Sequence, residues 1–227
     1  VEGPIVRGNS IFLVIGRRTY LFGLAQPFIR QTHFAGTNYF FYDLNAKMNY
    51  QFSQKDRIYL SGYFGRDVLT FAQPGRDFQF TLPYGNATAT LRWNHLFTEK
   101  LFFNLSAIYN DYQFKAGFEQ EEFNFDIFSG VRDFTAKFDF DYFPSNDHQV
   151  KTGIHATKHR LTPNIIRGSA GETEFENTAT AKYANEYAIY LQDDWKINPW
   201  FRVNLGLRGT LFQQIGPYTS GINGEVY

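Results

Sequence analysis

Apolar and polar residues alternate along most of this chain. In residues 40–52, Phe40, Tyr42, Leu44, Ala46, Met48, Tyr50 and Phe52 fall on one side, with Asp43, Asn45, Lys47, Asn49 and Gln51 on the other. Residues 57–67 repeat the pattern, setting Ile58, Leu60, Gly62 and Phe64 against Arg57, Tyr59, Ser61, Tyr63 and Asp67. Residues 86–97 set Ala87, Ala89, Leu91 and Trp93 against Asn86, Thr88, Thr90, Arg92 and Asn94. Residues 132–143 set Phe134, Ala136, Phe138, Phe140 and Tyr142 against Asp133, Thr135, Lys137, Asp139 and Asp141. Residues 201–207 set Phe201, Val203, Leu205 and Leu207 against Arg202, Asn204, Gly206 and the following Arg208. Side chains two apart share a face of a strand, whereas a helix groups every third or fourth, so these segments predict strands. Each is about ten residues long, enough for a tilted strand to cross a hydrocarbon layer.

The connections sort by length. Short polar turns are expected at Ser53, Gln54, Lys55 and Asp56, at Thr98, Glu99 and Lys100, at Ser145, Asn146, Asp147 and His148, and at Asn198 and Pro199. Between them, stretches near 21–38, 68–84, 113–130, 159–184 and beyond about 212 are rich in Gly, Pro, Asn and charge, and read as long loops. Soluble sandwiches and lipocalin-like barrels also alternate, but nothing in their physics sorts short and long connections to opposite ends. An outer-membrane barrel does so, with tight periplasmic turns and long extracellular loops. The expected fold is therefore all-β, an antiparallel transmembrane barrel segment of about nine strands. The first runs over 10–20 and the last over 201–212. One barrel domain is expected over the whole chain.

Composition agrees. The 26 Phe, 15 Tyr and 3 Trp make 19% of the chain, yet its mean hydropathy is −0.38. Abundant aromatics beside abundant polar residues suit strands with one lipid-facing and one water-facing side. No run of about 18 apolar residues exists to make a transmembrane helix. Basic and acidic residues balance at 22 each, which argues against a nucleic-acid partner, since that needs a basic face. With no cysteine, disulfides, thiolate metal sites and cysteine nucleophiles are excluded. The chain opens at Val1 without a signal peptide, so an exported protein of this sequence is expected to be mature or part of something longer.

Candidate residues follow from the faces. Asp43, Lys47, Arg57, Asp67, Arg92, Lys137, Asp139, Asp141, Arg202 and Arg208 are expected to line a wet lumen. Tyr50, Phe52, Trp93, Phe97, Tyr142, Trp195 and Trp200 lie near turns, where amphipathic rings favour headgroup depth. Outer-membrane lipids are thus an expected partner. Arg17 and Arg18 take opposite faces, so one must point outward, within reach of headgroups or anionic lipopolysaccharide. His155 and His159 would stand roughly 13 Å apart along one strand, too far to share an ion. Glu119, Glu121 and Glu122, and Glu172, Glu174 and Glu176, are read as solvated rather than as a cation site. Asp139 and Asp141, roughly 7 Å apart on one face, have the spacing of a carboxylate pair, but Lys137 shares that face and charged ladders are ordinary in a wet lumen. No nucleophile elbow, phosphate loop or zinc motif is present. No cofactor, no metal and no catalytic residue are expected.

The segment from Tyr187 to Trp200, containing Gln192, Asp193, Asp194, Trp195 and Lys196, is followed by Asn204, Leu205, Gly206, Leu207 and Arg208. Together they resemble the mid-barrel signature of TonB-dependent outer-membrane receptors. Phe12, Leu13 and Val14 with Arg17, Arg18, Thr19, Tyr20 and Leu21 are similar to the Bacteroidetes branch of that family. So are the stretches 42–47, 61–67 and 85–93. The likeness is spread over most of the chain. It implies a 22-stranded barrel closed by an N-terminal plug, with a TonB box ahead of it, importing a scarce nutrient such as a siderophore, cobalamin, glycan or peptide. It also implies the TonB energy-coupling system as a partner, acting through the plug. Neither plug nor box occurs here, and about nine strands do not make such a barrel, so an internal barrel fragment is expected. The alternatives are a complete structural or adhesive barrel of eight to ten strands and an outer-membrane enzyme.

Overall fold

A computed structural model describes residues 1–216 apart from 30, 31, 33, 34, 74, 76 and 178. The strands in chain order are β1 (Glu2–Pro4), β2 (Ser10–Arg18), β3 (Gly36–Gln51), β4 (Asp56–Ala72), β5 (Phe78–Thr98) and β6 (Leu101–Gln120). They continue as β7 (Phe123–Tyr142), β8 (His148–Ala170), β9 (Thr173–Glu176), β10 (Lys182–Asn198) and β11 (Phe201–Ile215). One helix, α1 (Leu21–Ile29), lies between β2 and β3. All strands belong to one antiparallel sheet in the order β1-β2-β3-β4-β5-β6-β7-β8-β10-β11, with β9 paired to β8. Nearest-neighbour pairing follows from the tight turns, which hand each strand back beside its predecessor. Among the described residues β11 pairs with β10 alone, so the sheet is open.

The four short turns share one device. Ser53 Oγ accepts the Lys55 N–H at 3.0 Å, and Thr98 Oγ1 accepts that of Lys100 at 3.2 Å. Ser145 Oγ accepts the Asp147 N–H at 3.2 Å, and Asn198 Oδ1 that of Trp200 at 2.9 Å. In each, a short polar side chain caps the amide two residues on and mimics a backbone turn.

At the other end the structure corrects the sequence reading. Three of the stretches expected to be long loops, 68–84, 113–130 and 159–184, are largely strand: β4 runs on to Ala72, β5 starts at Phe78, and β6 and β7 meet across Glu121 and Glu122 alone, whereas 21–38 holds α1. Strand β8 reaches Ala170 and turns through Gly171 and Glu172 into β9. Glu121 and Gly171 take positive φ, 50° and 58°, as such tight reversals require. Strands β5 to β8 hold 20 to 23 residues, about twice what crossing a hydrocarbon layer takes. Gly, Asn and charge were misleading because a strand beyond the membrane is wet on both faces and loses its alternation while keeping its ladder. The nine expected strands are β2–β8, β10 and β11; β1, β9 and α1 were not foreseen. Of the loop expected beyond about 212, residues 213–215 belong to β11 and those after 216 lie outside the described residues.

Candidate functional site: the polar face of the sheet

Register assigns every side chain to a face. Asp43 pairs with Gly65 and Lys47 with Ser61, Arg57 with Asn94, Tyr59 with Arg92, and Arg92 with Ser106. Ser106 pairs with Lys137, Lys137 with His155, His155 with Ala188, and Tyr190 with Arg208. Directly opposed residues share a face, so Asp43, Lys47, Arg57, Asp67, Arg92, Lys137, Asp139, Asp141, Arg202 and Arg208 all lie on one. The opposite face carries Leu44, Met48, Leu60, Phe64, Leu91, Phe134, Phe138, Ile154, Ile189, Leu191, Leu205 and Leu207, all exposed. Leu207 is 84% exposed. An apolar face of this breadth is untenable in water and ordinary against lipid. Both faces also admit exceptions, such as Ile11 and Ile15 on the polar side, opposite Asn49 and Asn45.

The polar face is cross-linked strand to strand. Arg17 Nε bonds both carboxylate oxygens of Asp43, at 3.0 and 2.8 Å, and Asp43 is 6% exposed. Of the adjacent pair, Arg17 thus turns to the polar face. Arg18 turns to the apolar one, over the rings of Tyr20 and Phe40. Tyr39 donates to Asp67 at 2.7 Å. This hydrogen bond to a carboxylate, aided by burial, pushes the phenol up to about 12. Arg57 bonds Gln51, Arg92 Nε reaches Ser106 Oγ at 3.4 Å, and Arg202 faces Asp194 at 3.4 Å.

The densest cluster spans β7, β8 and β10. Asp139 Oδ1 meets His155 Nε2 at 2.9 Å and accepts from Tyr190 OH at 2.8 Å. His159 Nδ1 meets Asp133 Oδ1 at 2.8 Å, with Glu186 at 3.6 Å from its Nε2. Lys151 lies 3.7 Å from Asp141. The two carboxylates suggested by sequence spacing are thus committed to different partners, and so are the two histidines. No group of three or more metal-ligating side chains occurs among the described residues. Tyr190, Asp133 and Gly153 were missed as members of this cluster. Only register brings them together, and register between strands tens of residues apart is not written in either strand.

Of the interface aromatics, Tyr50, Trp93, Phe97, Tyr142 and Trp195 lie on the apolar face at the turn end. Phe52 follows the last residue of β3, and Trp200 sits in the final turn, 94% exposed. Trp93 Nε1 donates to Asp56 at 3.0 Å, and the same carboxylate oxygen meets His95 at 2.6 Å. Trp195 stacks on His148, ring centroids 5.3 Å apart, while His148 bonds Asp193 at 2.7 Å. The signature stretch is divided by its own periodicity: Asp193 and Trp195 take the apolar face, Gln192 and Asp194 the polar one. Gln192 lies across from Gly206, where a side chain would meet its Cβ at 3.3 Å. Leu207 takes the apolar face and Arg208 the polar one, opposite Tyr190.

A sheet apolar and exposed on one face, charged and hydrogen-bonded on the other, is a wall of an outer-membrane barrel. The chain belongs to the outer membrane beta barrel domain family, whose model matches residues 104–223. No curated protein sequence matches it. Among solved structures, the siderophore receptor PiuA from Acinetobacter baumannii is similar over 100% of this chain and 42% of its own, at 11% identity and a TM-score of 0.66. BauA, the ferric preacinetobactin receptor from Acinetobacter baumannii, is similar over 94% of this chain and 40% of its own, at 11% identity and a TM-score of 0.53. The chain therefore spans less than half of each, and its fold is that of their barrels.

Proposed function

We propose that this chain is part of the barrel of a TonB-dependent receptor of Bacteroidetes type that imports a scarce nutrient across the outer membrane. The observation that carries the reading is that the whole chain superposes on part of a siderophore receptor's barrel. The open sheet supports the fragment reading, because an unpaired strand edge in lipid leaves backbone groups unsatisfied. In the complete protein the polar face lines the lumen and the apolar face meets lipid. The nutrient belongs to the class of siderophores, cobalamin, glycans or peptides. Coupling to TonB runs through a plug outside this chain, and nothing in these strands performs catalysis.

Two measurements decide it. The gene around this sequence should encode a plug and a TonB box ahead of Val1; a signal peptide joined directly to Val1 sinks the proposal. Uptake of the nutrient by cells carrying the whole protein should cease when TonB is removed. Undiminished uptake favours a passive or purely structural barrel instead.

A further inference from the structure

The polar face changes its chemistry above the cross-strand row through Asp67, Tyr84, Phe114 and Ser129. Beyond that row, none of the described residues on this face of β4 to β9 is charged. Phenylalanines stand there in direct register, Phe71 opposite Phe80, Phe80 opposite Phe118, and Phe118 opposite Phe125. Phe125 pairs with Gly168 and Gly168 with Phe175, whose ring lies over the glycine. Phe78 and Phe123 complete the group, each two residues nearer its strand's tip than Phe80 and Phe125.

The rings make one continuous ladder from β4 to β9. Phe71 meets Phe78, Phe78 meets Phe118, and Phe118 meets Phe123 edge to face, with centroids 5.9, 5.3 and 5.9 Å apart. Phe175 follows Phe123 at 6.4 Å, and these last two rings remain 41% and 40% exposed. On the other side of the same strands stand Lys115, Glu119, Asp126 and Arg167, whose natural partner is water. A phenyl-lined surface on a stretch of sheet so wetted on its reverse marks an interaction site.

We infer that this ladder receives the imported nutrient and that the nutrient is an uncharged, extended peptide with apolar side chains at alternate positions. The inference rests on the receptor reading above and selects among the ligand classes it allows. Charge complementarity excludes an anionic ferric complex, which finds no cation on these strands. Glycan hydroxyls and the amide fringe of a corrin need hydrogen-bond partners, and phenyl rings supply neither donor nor acceptor. Edge-to-face packing also turns alternate rings edge-on, leaving clefts between them in place of a flat table for a sugar. An extended peptide matches the spacing. Its alternate side chains recur every 6.5–7 Å or so, close to the 5.3–6.4 Å steps between rings. Its backbone N–H and C=O groups point sideways and stay in water.

The test uses the whole protein in lipid nanodiscs and equilibrium dialysis with four probes. They are a capped heptapeptide with Leu at alternate positions and Ser between, the same peptide with Glu in place of Leu, maltoheptaose, and a ferric hydroxamate siderophore. Wild type should bind the Leu peptide in preference to the other three. Phe118→Ser/Phe123→Ser should weaken that binding on the order of a hundredfold, the loss expected when two phenyl contacts are withdrawn. Glu119→Gln/Asp126→Asn, on the reverse of the same strands, should bind as wild type does. Heat-modifiability on gels reports folding, and if the double phenylalanine variant does not fold, Phe175→Ser in the short β9 gives the answer. Leu-peptide binding no tighter than that of the other probes, or no loss in the folded variant, overturns the inference. Uptake by cells separates it from the receptor reading. TonB-dependent uptake of maltoheptaose or the siderophore keeps the receptor and overturns the peptide, whereas TonB-independent uptake of a ladder-bound peptide does the reverse.

Discussion

Asp139 occupies the space above Gly153. A Cβ at 153 would lie 2.5 Å from the Asp139 carboxylate and 2.8 Å from the Tyr190 ring. The glycine is what lets two neighbouring strands send an acid and a phenol across β8 to meet. Gly153→Leu should therefore split the Asp139–Tyr190 contact and destabilise the folded barrel by about 1–3 kcal/mol, as overpacking does. Gly62→Ala, whose new Cβ would lie 3.7 Å from the Thr88 carbonyl oxygen, its nearest neighbour, should be near neutral. Urea midpoints of the whole protein in detergent compare them; equal effects would refute the packing argument.

Removing the phenol alone tests the hydrogen bond separately. Tyr190→Phe keeps the ring and takes one donor from Asp139, which retains His155. The site is partly solvated, so the cost should be about 1 kcal/mol or less. Asp139→Leu should cost more, because it strands His155 and Tyr190 together.

Tyr39 yields a prediction in pH. Its folded-state pKa, about 12, lies above the ordinary tyrosine value of about 10. The stabilisation from its bond to Asp67 is then fully present below about 10 and is lost as pH rises through about 12. Phenolate absorbance should show a late-titrating tyrosine in wild type that is missing in Tyr39→Phe. Asp67→Asn should bring that titration earlier.

The three tryptophans should report different depths. With single-tryptophan variants in bilayers, quenchers placed at headgroup level should strongly quench Trp93 and Trp195, on the apolar face at the turn end. Trp200, 94% exposed in its turn, should respond mainly to aqueous quenchers. Uniform quenching of all three would contradict the placement of that rim.

Charge should be tolerated by face. Leu60→Arg, in the middle of the apolar face, should cost about 2–4 kcal/mol of folding free energy in a bilayer. Ser61→Arg, its neighbour on the polar face, should cost little. Folding titrations in lipid vesicles measure both, and equal costs would contradict the assignment of faces.

Much of the wall was legible because the period of two survives wherever the faces meet different solvents. All ten charged residues expected together do share a face, and the turns fall where Ser53, Thr98, Ser145 and Asn198 announce them. Legibility failed where that contrast ended. Around Lys115 and Asp126, or along 159–170, both faces carry polar side chains, so strand and loop read alike. The partners of Asp139 were hidden for another reason: pairing between β7, β8 and β10 depends on register, which the turns fix at one end only.

The paired extensions also govern how such a wall can change length. Adding one residue within β6 or β7 beyond the membrane turns every later side chain to the wrong face. A residue added at Glu121–Glu122 or Gly171–Glu172 disturbs nothing below it. Diversification at the cell surface is thus expected to proceed by point substitution along stiff, pleated staves and by growth at their tips. Relatives of this chain should align without gaps until those tips are reached.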